Sequence, residues 1–432
     1  MFVGPKGHPS ASRSVGARAA RAVADVTLFT LVVAVGLGCA GASGAMASVE
    51  STDIVGTTTV AQDPGLADVA PDVEMEAGLL ATTEGRVLWA RNPEERRAIA
   101  SLTKVMTALV VLEEARLDEE VVVSSRAASV GGSGIYLRPG ERLEVGELLA
   151  AVLLESSNAA AEALAEHVGG SEARFVEMMN ERAARLGMDD THFSNPHGLN
   201  SDGHLSTARD LLRLTLAALE EPTFARLVST ATTEIPGPSG TRLLENSNEL
   251  IGEYEGAFGV KTGWTDPAGY CLIAGAARGD VGLIAVVLGA DDEKSRFTEA
   301  AHLLDWGFEH YKLRRLVSAE ETVSVVRVLD YPDRYVGAVT ATAAAEYLLD
   351  TEGEVVSVWE AAGAVGAPVR AGDRLGRVRV YQGDDLVAEV DLVAAEDVPE
   401  PTLWQRIGFF FERVWERLFA SRPVRAACSV RP

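Results

Sequence analysis

Apolar positions fall into two contrasting patterns. Residues 101–115 predict a helix whose middle, Val105 and Met106 followed by residues 108–112, is apolar on every side. Such a helix belongs in the centre of a domain. Residues 403–419 also predict a helix, but a two-faced one. On a helical wheel, Leu403, Trp404, Ile407, Phe410, Phe411, Val414, Trp415, Leu418 and Phe419 share one half. Gln405, Arg406, Glu412, Arg413, Glu416 and Arg417 share the other, and Phe409 alone falls among them. A wide aromatic face opposite arginines suits a helix lying in a membrane interface; docking on its own protein or on a partner is the competing reading. Spanning would place six polar side chains in hydrocarbon.

Between these helices the pattern is mixed. Residues 77–92 alternate around Glu84-Gly85 and predict a hairpin. Helical patterns follow at 146–168, 171–187 and 208–219, then near 295–310, while residues 269–288 turn to Gly and β-branched residues and predict paired strands. A sheet carrying a buried helical cluster is an α+β domain, expected over 71–315. From 316 to 396 the pattern shortens to strands at 323–328, 335–341, 354–359, 375–381 and 386–393, a small all-β domain. Residues 48–70 are polar and small and read as a flexible lead-in, 397–402 as a linker, and 420–432 as a tail.

Composition narrows the class. The chain has 432 residues, 47% hydrophobic and 24% charged, which excludes wholesale disorder. A net charge of −24 argues against a nucleic-acid partner. That charge is uneven: residues 1–47 carry +3 and residues 401–432 carry +4, leaving −31 on the body. A cationic amphipathic tail on an anionic body fits approach to anionic lipid. At the other end, Lys6, Arg13, Arg18 and Arg21 precede an apolar run of 12 residues at 26–37 and an A-x-A pattern before Ser48. This reads as an export signal, 1–47, too short to span a bilayer of about 20 helical residues. Cys39 only loosely resembles a lipoprotein acceptor, so cleavage after Ala47 and lipidation at Cys39 stay open. Cys271 and Cys428 give no sign of pairing, and no structural disulfide is expected.

One residue type is scarce. Of 39 basic residues only five are lysine, namely Lys6, Lys104, Lys261, Lys294 and Lys312. Codon bias accounts for the scarcity but not for the placement. A buried lysine can lose its proton and act as a base, which arginine cannot. Lys104 closes Ser101-Leu102-Thr103-Lys104 at a helix start. Residues three apart share a face there, and the free N–H groups stabilise negative charge near Ser101. Apolar surroundings lower the lysine's pKa, so a neutral Lys104 can take the Ser101 Oγ proton. Lys261 opens Lys261-Thr262-Gly263-Trp264-Thr265 before a strand. Cation and hydroxyls suit a carboxylate, and Gly263 clears space for a substrate backbone. The N–H groups of Trp264 and Ser101 can form an oxyanion hole. Ser156-Ser157-Asn158 ends a buried helical run; Ser156 could relay a proton and Asn158 hold a substrate amide, although the tripeptide alone reads as a helix cap. No metal cluster or phosphate loop is present, and no cofactor is expected.

Together, S-x-x-K, S-x-N and K-T-G form the motif set of penicillin-binding proteins and serine β-lactamases. Residues 99–107 (I-A-S-L-T-K-V-M-T), 193–199 (F-S-N-P-H-G-L) and 261–270 (K-T-G-W-T-D-P-A-G-Y) resemble the serine D-alanyl-D-alanine carboxypeptidases. The resemblance covers roughly 70–420. It implies a transpeptidase-like α+β domain, a small β domain and an amphipathic anchor on the outer face of the cytoplasmic membrane. It further implies removal of the terminal D-Ala from peptidoglycan stem pentapeptides. Ser101 would be the acyl-ester nucleophile, Lys104 the base and Ser156 the proton relay. Asn158, Lys261, Thr262, Gly263 and Thr265 would bind substrate, and β-lactams would acylate the same serine. Arg242 is a candidate second cation for the carboxylate, and His197 reads as a loop-structuring residue. Two departures stand out: Ala159 follows S-x-N where Asp is common, and Trp264 stands where His is common. A class A β-lactamase, a transpeptidase, an endopeptidase and a non-catalytic wall scaffold are the alternatives. The first lacks its E-x-x-x-N element after Asn158.

Overall fold

The computed structural model describes residues 54–60, 69–238 and 240–419. The expected export signal, part of the lead-in, the 420–432 tail, Cys39 and Cys428 lie outside them. The described residues form two compact units, one of Val69–Tyr311 and the other of Lys312–Phe419 with Ile54–Val60.

The larger unit is built on a five-stranded antiparallel sheet. Its strands are β1 (Ala77–Thr82), β2 (Val87–Arg91), β3 (Ala257–Thr265), β4 (Gly269–Arg278) and β5 (Val281–Ala290), in spatial order β2-β1-β5-β4-β3. The expected hairpin is β1–β2, with Gly85 at φ +91° in its turn. Strand β3, which carries the K-T-G motif, is an edge strand, so its outer side is free to face a cleft.

Helices complete the unit. In chain order they are α1 (Lys104–Glu114), α2 (Ser125–Ser129), α3 (Val145–Leu153), α4 (Asn158–Gly169), α5 (Glu172–Arg185), α6 (Ala208–Leu219), α7 (Pro222–Val228) and α8 (Ser295–His310). Helix α1 is buried from Lys104 through Val111, as its all-round apolar pattern requires. The helical pattern at 146–168 divides into α3 and α4. The break supplies the turn on which Ser156 sits, and Ser157 caps α4 by accepting from Ala160 N–H at 3.3 Å.

The smaller unit holds a seven-stranded sheet in the order Ile54–Val60, Val355–Ala361, Arg374–Gln382, Asp385–Ala394, Tyr335–Thr340, Thr322–Val328, Ala364–Val365. Every expected strand is present. Two expectations are corrected. Within the lead-in read as flexible, Ile54–Val60 is an edge strand, paired antiparallel along its length with Val355–Ala361. Its sequence, I-V-G-T-T-T-V, is rich in β-branched residues, which favour strands. The units also divide at Tyr311–Lys312 rather than after 315, because Tyr311–Val317 is already a strand pairing with Ala344–Leu349.

Helix α9 (Leu403–Phe419) follows, opened by a reciprocal cap: Thr402 N–H donates to Gln405 Oε1 at 2.8 Å and Gln405 N–H to Thr402 Oγ1 at 3.4 Å. On its apolar face Leu403 is 71% and Trp404 81% exposed. Phe409, the misfit on the wheel, is half-buried, its ring 5.7 Å from that of Tyr331. No described helix is long and apolar enough to cross a membrane.

Candidate active site

Ser101 lies in a 3-10 turn, Ala100–Thr103, that feeds directly into α1. The turn is held tightly. Ala100 adopts φ +46°, a left-handed value rare for alanine. Thr103 Oγ1 donates to the Ala100 carbonyl at 2.8 Å and lies 2.7 Å from His204 Nε2. Gly198 presses on the same turn from outside; a Cβ there would collide with the Ala100 carbonyl. This close approach accounts for the glycine of F-S-N-P-H-G-L, whose Asn195 Oδ1 accepts from the N–H groups of His197 and Gly198.

Lys104 is fully buried, and its Nζ lies 2.7 Å from each of three oxygens: Ser101 Oγ, Asn158 Oδ1 and the His197 carbonyl. Burial drives its pKa well below that of a free lysine, and the neighbouring Lys261 adds to the fall. A neutral amine has two N–H bonds and one lone pair. The two carbonyl-type oxygens can only accept, so they take both N–H bonds. In its neutral form Lys104 would thus turn its lone pair toward Ser101 Oγ.

Asn158 has both ends of its carboxamide engaged, since Nδ2 donates to the Gly131 carbonyl at 2.8 Å. It holds Lys104, and the second N–H of its Nδ2 is left over from these two bonds. Ser156, buried at φ +60°, hydrogen-bonds to none of the described residues through its hydroxyl.

Strand β3 brings the third motif against the serine. A Cβ on Gly263 would lie 3.0 Å from Ser101 N, so the glycine lets the two backbones meet. Lys261 is 1% exposed, and its pKa falls to about 7 through burial, with Arg296 contributing. Thr262 Oγ1 pairs with Ser247 Oγ at 2.8 Å, whereas Thr265 Oγ1 is buried and unpartnered. Trp264 lies 52% exposed on the rim, tilted against Tyr270.

Arg242 is not brought into this group. It is bound to Glu141 and the Tyr136 carbonyl, each at 3.2 Å, so its charge is already matched. The sequence reading missed Arg296 of α8. Its guanidinium lies behind the K-T-G strand, 3.5 Å from the Gly263 carbonyl and over the Tyr270 ring, with Nε buried and unpaired. An arginine 35 positions beyond Lys261 carries no local signal. Also missed was the loop at 131–135, which receives three bonds from the S-x-N motif: Asn158 Nδ2 to Gly131 O, Asn158 N to Ser133 O at 3.1 Å and Ser157 Oγ to Ile135 O at 3.4 Å. Its clustered glycines were the available signal.

A serine hydroxyl 2.7 Å from a fully buried lysine whose pKa is driven down, with the backbone of the K-T-G strand against the serine, suits serine acyl transfer. The family model for D-alanyl-D-alanine carboxypeptidases matches residues 67–292, and that for the C-terminal domain of penicillin-binding protein 5 matches 311–400. The chain is 34% identical over 334 residues to D-alanyl-D-alanine carboxypeptidase DacF of Bacillus subtilis, covering 74% of this chain and 85% of that one. The solved D-alanyl-D-alanine carboxypeptidase DacD of Francisella tularensis superposes with a TM-score of 0.60 at 25% identity, over 79% of this chain and 98% of that one. A mutant of the Streptomyces K15 DD-transpeptidase covers 56% of this chain and all of its own at TM-score 0.53 and 30% identity. This chain belongs to the serine D-alanyl-D-alanine carboxypeptidase family and is a cell-wall hydrolase that removes the terminal D-Ala of peptidoglycan stem pentapeptides.

Proposed function

We propose that this activity runs through an ester on Ser101 with Lys104 as the base. Ser101 Oγ gives its proton to the Lys104 lone pair and attacks the carbonyl between the two D-Ala residues. The resulting oxyanion rests on the N–H groups of Ser101 and Trp264. Collapse expels the terminal D-Ala, whose nitrogen takes up a proton through Ser156. Water, deprotonated by Lys104, then releases the shortened peptide and restores the serine. Lys261, Thr262 and Thr265 hold the terminal carboxylate, Gly263 clears the substrate backbone, and Arg296 adds positive potential from behind. The observation that carries the reading is the 2.7 Å contact between Ser101 Oγ and a buried, low-pKa lysine whose N–H bonds are otherwise taken. The β-lactam ring presents the corresponding carbonyl-to-nitrogen bond, strained by its four-membered ring, to the same nucleophile.

The test is release of free D-Ala from a stem pentapeptide by the full chain and by Ser101→Ala. The reading expects release from the parent alone; equal release from both would sink it. Adding a D-amino acid acceptor in the same assay tells hydrolysis from transpeptidation, the second reading that likeness to the K15 enzyme supports.

We further propose that residues 1–47 direct export and that α9 holds the enzyme to the outer face of the cytoplasmic membrane. The exposed aromatic face of α9 and the local charge of +4 support this. Flotation with anionic liposomes tests it: the full chain should float and a chain ending at 400 should not.

A further inference from the structure

The orientation of Asn158 decides where the Lys104 lone pair points. Were its carboxamide turned over, Nδ2 would face Lys104 and compete with Ser101 for that lone pair. The Gly131 carbonyl prevents this by accepting from Nδ2. The loop bearing Gly131 depends on glycine: Gly132 and Gly134 sit at φ +102° and +91°, and a Cβ on Gly132 would lie 2.5 Å from Asn158 Nδ2. Something must keep so glycine-rich a loop pressed onto α4.

The root of that loop is α2, and Arg126 on α2 reaches across to α4 and α5. Its Nε donates to Glu162 Oε1 at 2.9 Å, and its Nη2 pairs with Glu172. Glu162 stands one helical turn beyond Asn158 on the same face of α4, and its side chain is 1% exposed with Oε2 unpartnered. Glu162, Glu172 and His197 present ligand atoms within 4.8 Å of one another, a spacing open to a metal ion. The chemistry points to the guanidinium instead. His197 Nδ1 accepts from Leu199 N–H at 3.2 Å, so its proton sits on Nε2 and no lone pair is left there for a metal. Arg126 is the cation of this cluster.

We propose that Arg126 and Glu162 are positioning residues for catalysis. Their ion pair locks the 131–134 loop against α4, and the loop fixes the Asn158 carboxamide with its oxygen toward Lys104. Arg126 is 62% exposed and Glu162 1% exposed, so removing Arg126 leaves a buried carboxylate without its cation. The inference rests on the proposed roles of Ser101, Lys104 and Asn158, and its test is arranged to separate the two.

The full chain carrying Arg126→Ala, Asn158→Ala or both is assayed for acylation by a fluorescent penicillin, for kcat and KM on a stem pentapeptide, and for its thermal midpoint. Arg126→Ala should slow acylation and kcat about tenfold while KM moves less than twofold, because the carboxylate site on β3 is untouched. Arg126→Lys, which keeps a cation for Glu162, should recover most of that loss. In the Asn158→Ala background the same Arg126→Ala change should cost less than twofold. Should Arg126→Ala fail to fold, Gly132→Ala, which pushes directly on Nδ2, must show the same Asn158-dependent loss. A full-rate Arg126→Ala enzyme, or a tenfold loss that persists without Asn158, overturns the lock. Unimpaired acylation in Asn158→Ala or Ser101→Ala would instead overturn the reading of the site.

Discussion

Helices α1 and α9 are both rich in large apolar side chains, yet they meet opposite environments. Every side of α1 is packed from Lys104 to Val111. The apolar face of α9 is open, with Leu403, Trp404, Phe410, Phe411 and Trp415 all exposed. The difference teaches what a hydrophobic pattern determines. An all-round pattern fixes burial and so fixes the chemistry of a charge placed within it, here Lys104. A one-sided pattern fixes only that a second apolar phase is required. Phe409 sharpens the contrast, because this aromatic on the polar side of α9 is half-buried and packs its ring on Tyr331.

The largest expected effect strikes the buried helix. Lys104→Arg keeps the positive charge and removes the base, so acylation and D-Ala release should fall roughly 1000-fold, within the range ascribed to general base catalysis. A loss below tenfold would mean that burial of Lys104 is incidental. The pH profile follows. Lys104 must be neutral and Lys261 charged, so kcat/KM should fall in acid as Lys104 takes a proton and in alkali as Lys261 loses one. The free-enzyme pKa of Lys261 is about 7. The two lysines interact, so the limbs report the pair. Lys261→Arg, ionised throughout, should abolish the alkaline limb; an unchanged limb would remove Lys261 from the carboxylate site.

The exposed helix should answer to smaller changes. Trp404→Glu or Phe410→Glu should reduce liposome partitioning by about tenfold or more, since each deletes about 1.5–3 kcal/mol of apolar burial. Phe409→Ala should leave partitioning within twofold. Equal effects at Phe409 and Phe410 would erase the distinction between the two faces.

Stability offers a further check on the buried unit. Burial lowers the pKa of His204 from 6.5 to about 4 and that of His197 to about 3. Below pH 6.5 the unfolded chain binds protons that the folded chain refuses. Stability is therefore full above 6.5 and is lost as pH falls, on the order of 3 kcal/mol for His204 by pH 4. Urea unfolding at pH 7 and pH 4.5 measures this, and a flat profile would contradict the burial. A small effect on catalysis is expected of Arg242→Ala. Its charge is matched by Glu141, so KM should rise less than threefold.

What was legible in the sequence had local causes. The β1–β2 hairpin, the buried α1, the break at S-x-N and the wheel of α9 are set by neighbours within a few residues. The motif serine and lysine share a face because they are three apart on one turn. What escaped depended on distant partners. Ile54–Val60 reads as a polar lead-in until Val355–Ala361 lies beside it. Arg296 and Ser247 join the site only because β3 brings them there. The contact of Asn158 with Lys104, and the loop at 131–134 that orients its carboxamide, are set by packing that no local pattern shows. Arg242 was a candidate by charge alone, and Glu141 explains its absence from the group.

The central claim is that Lys104 is held neutral beside Ser101 at working pH. With only five lysines in the chain, titration of the lysine side chains by NMR on an ε-labelled sample reads each one separately, with Lys104→Arg and Lys261→Arg giving the assignments. The account predicts two lysine signals that titrate far below the rest, with Lys104 losing its proton well under the ordinary value of 10.5. A Lys104 signal that titrates with the surface lysines would contradict it.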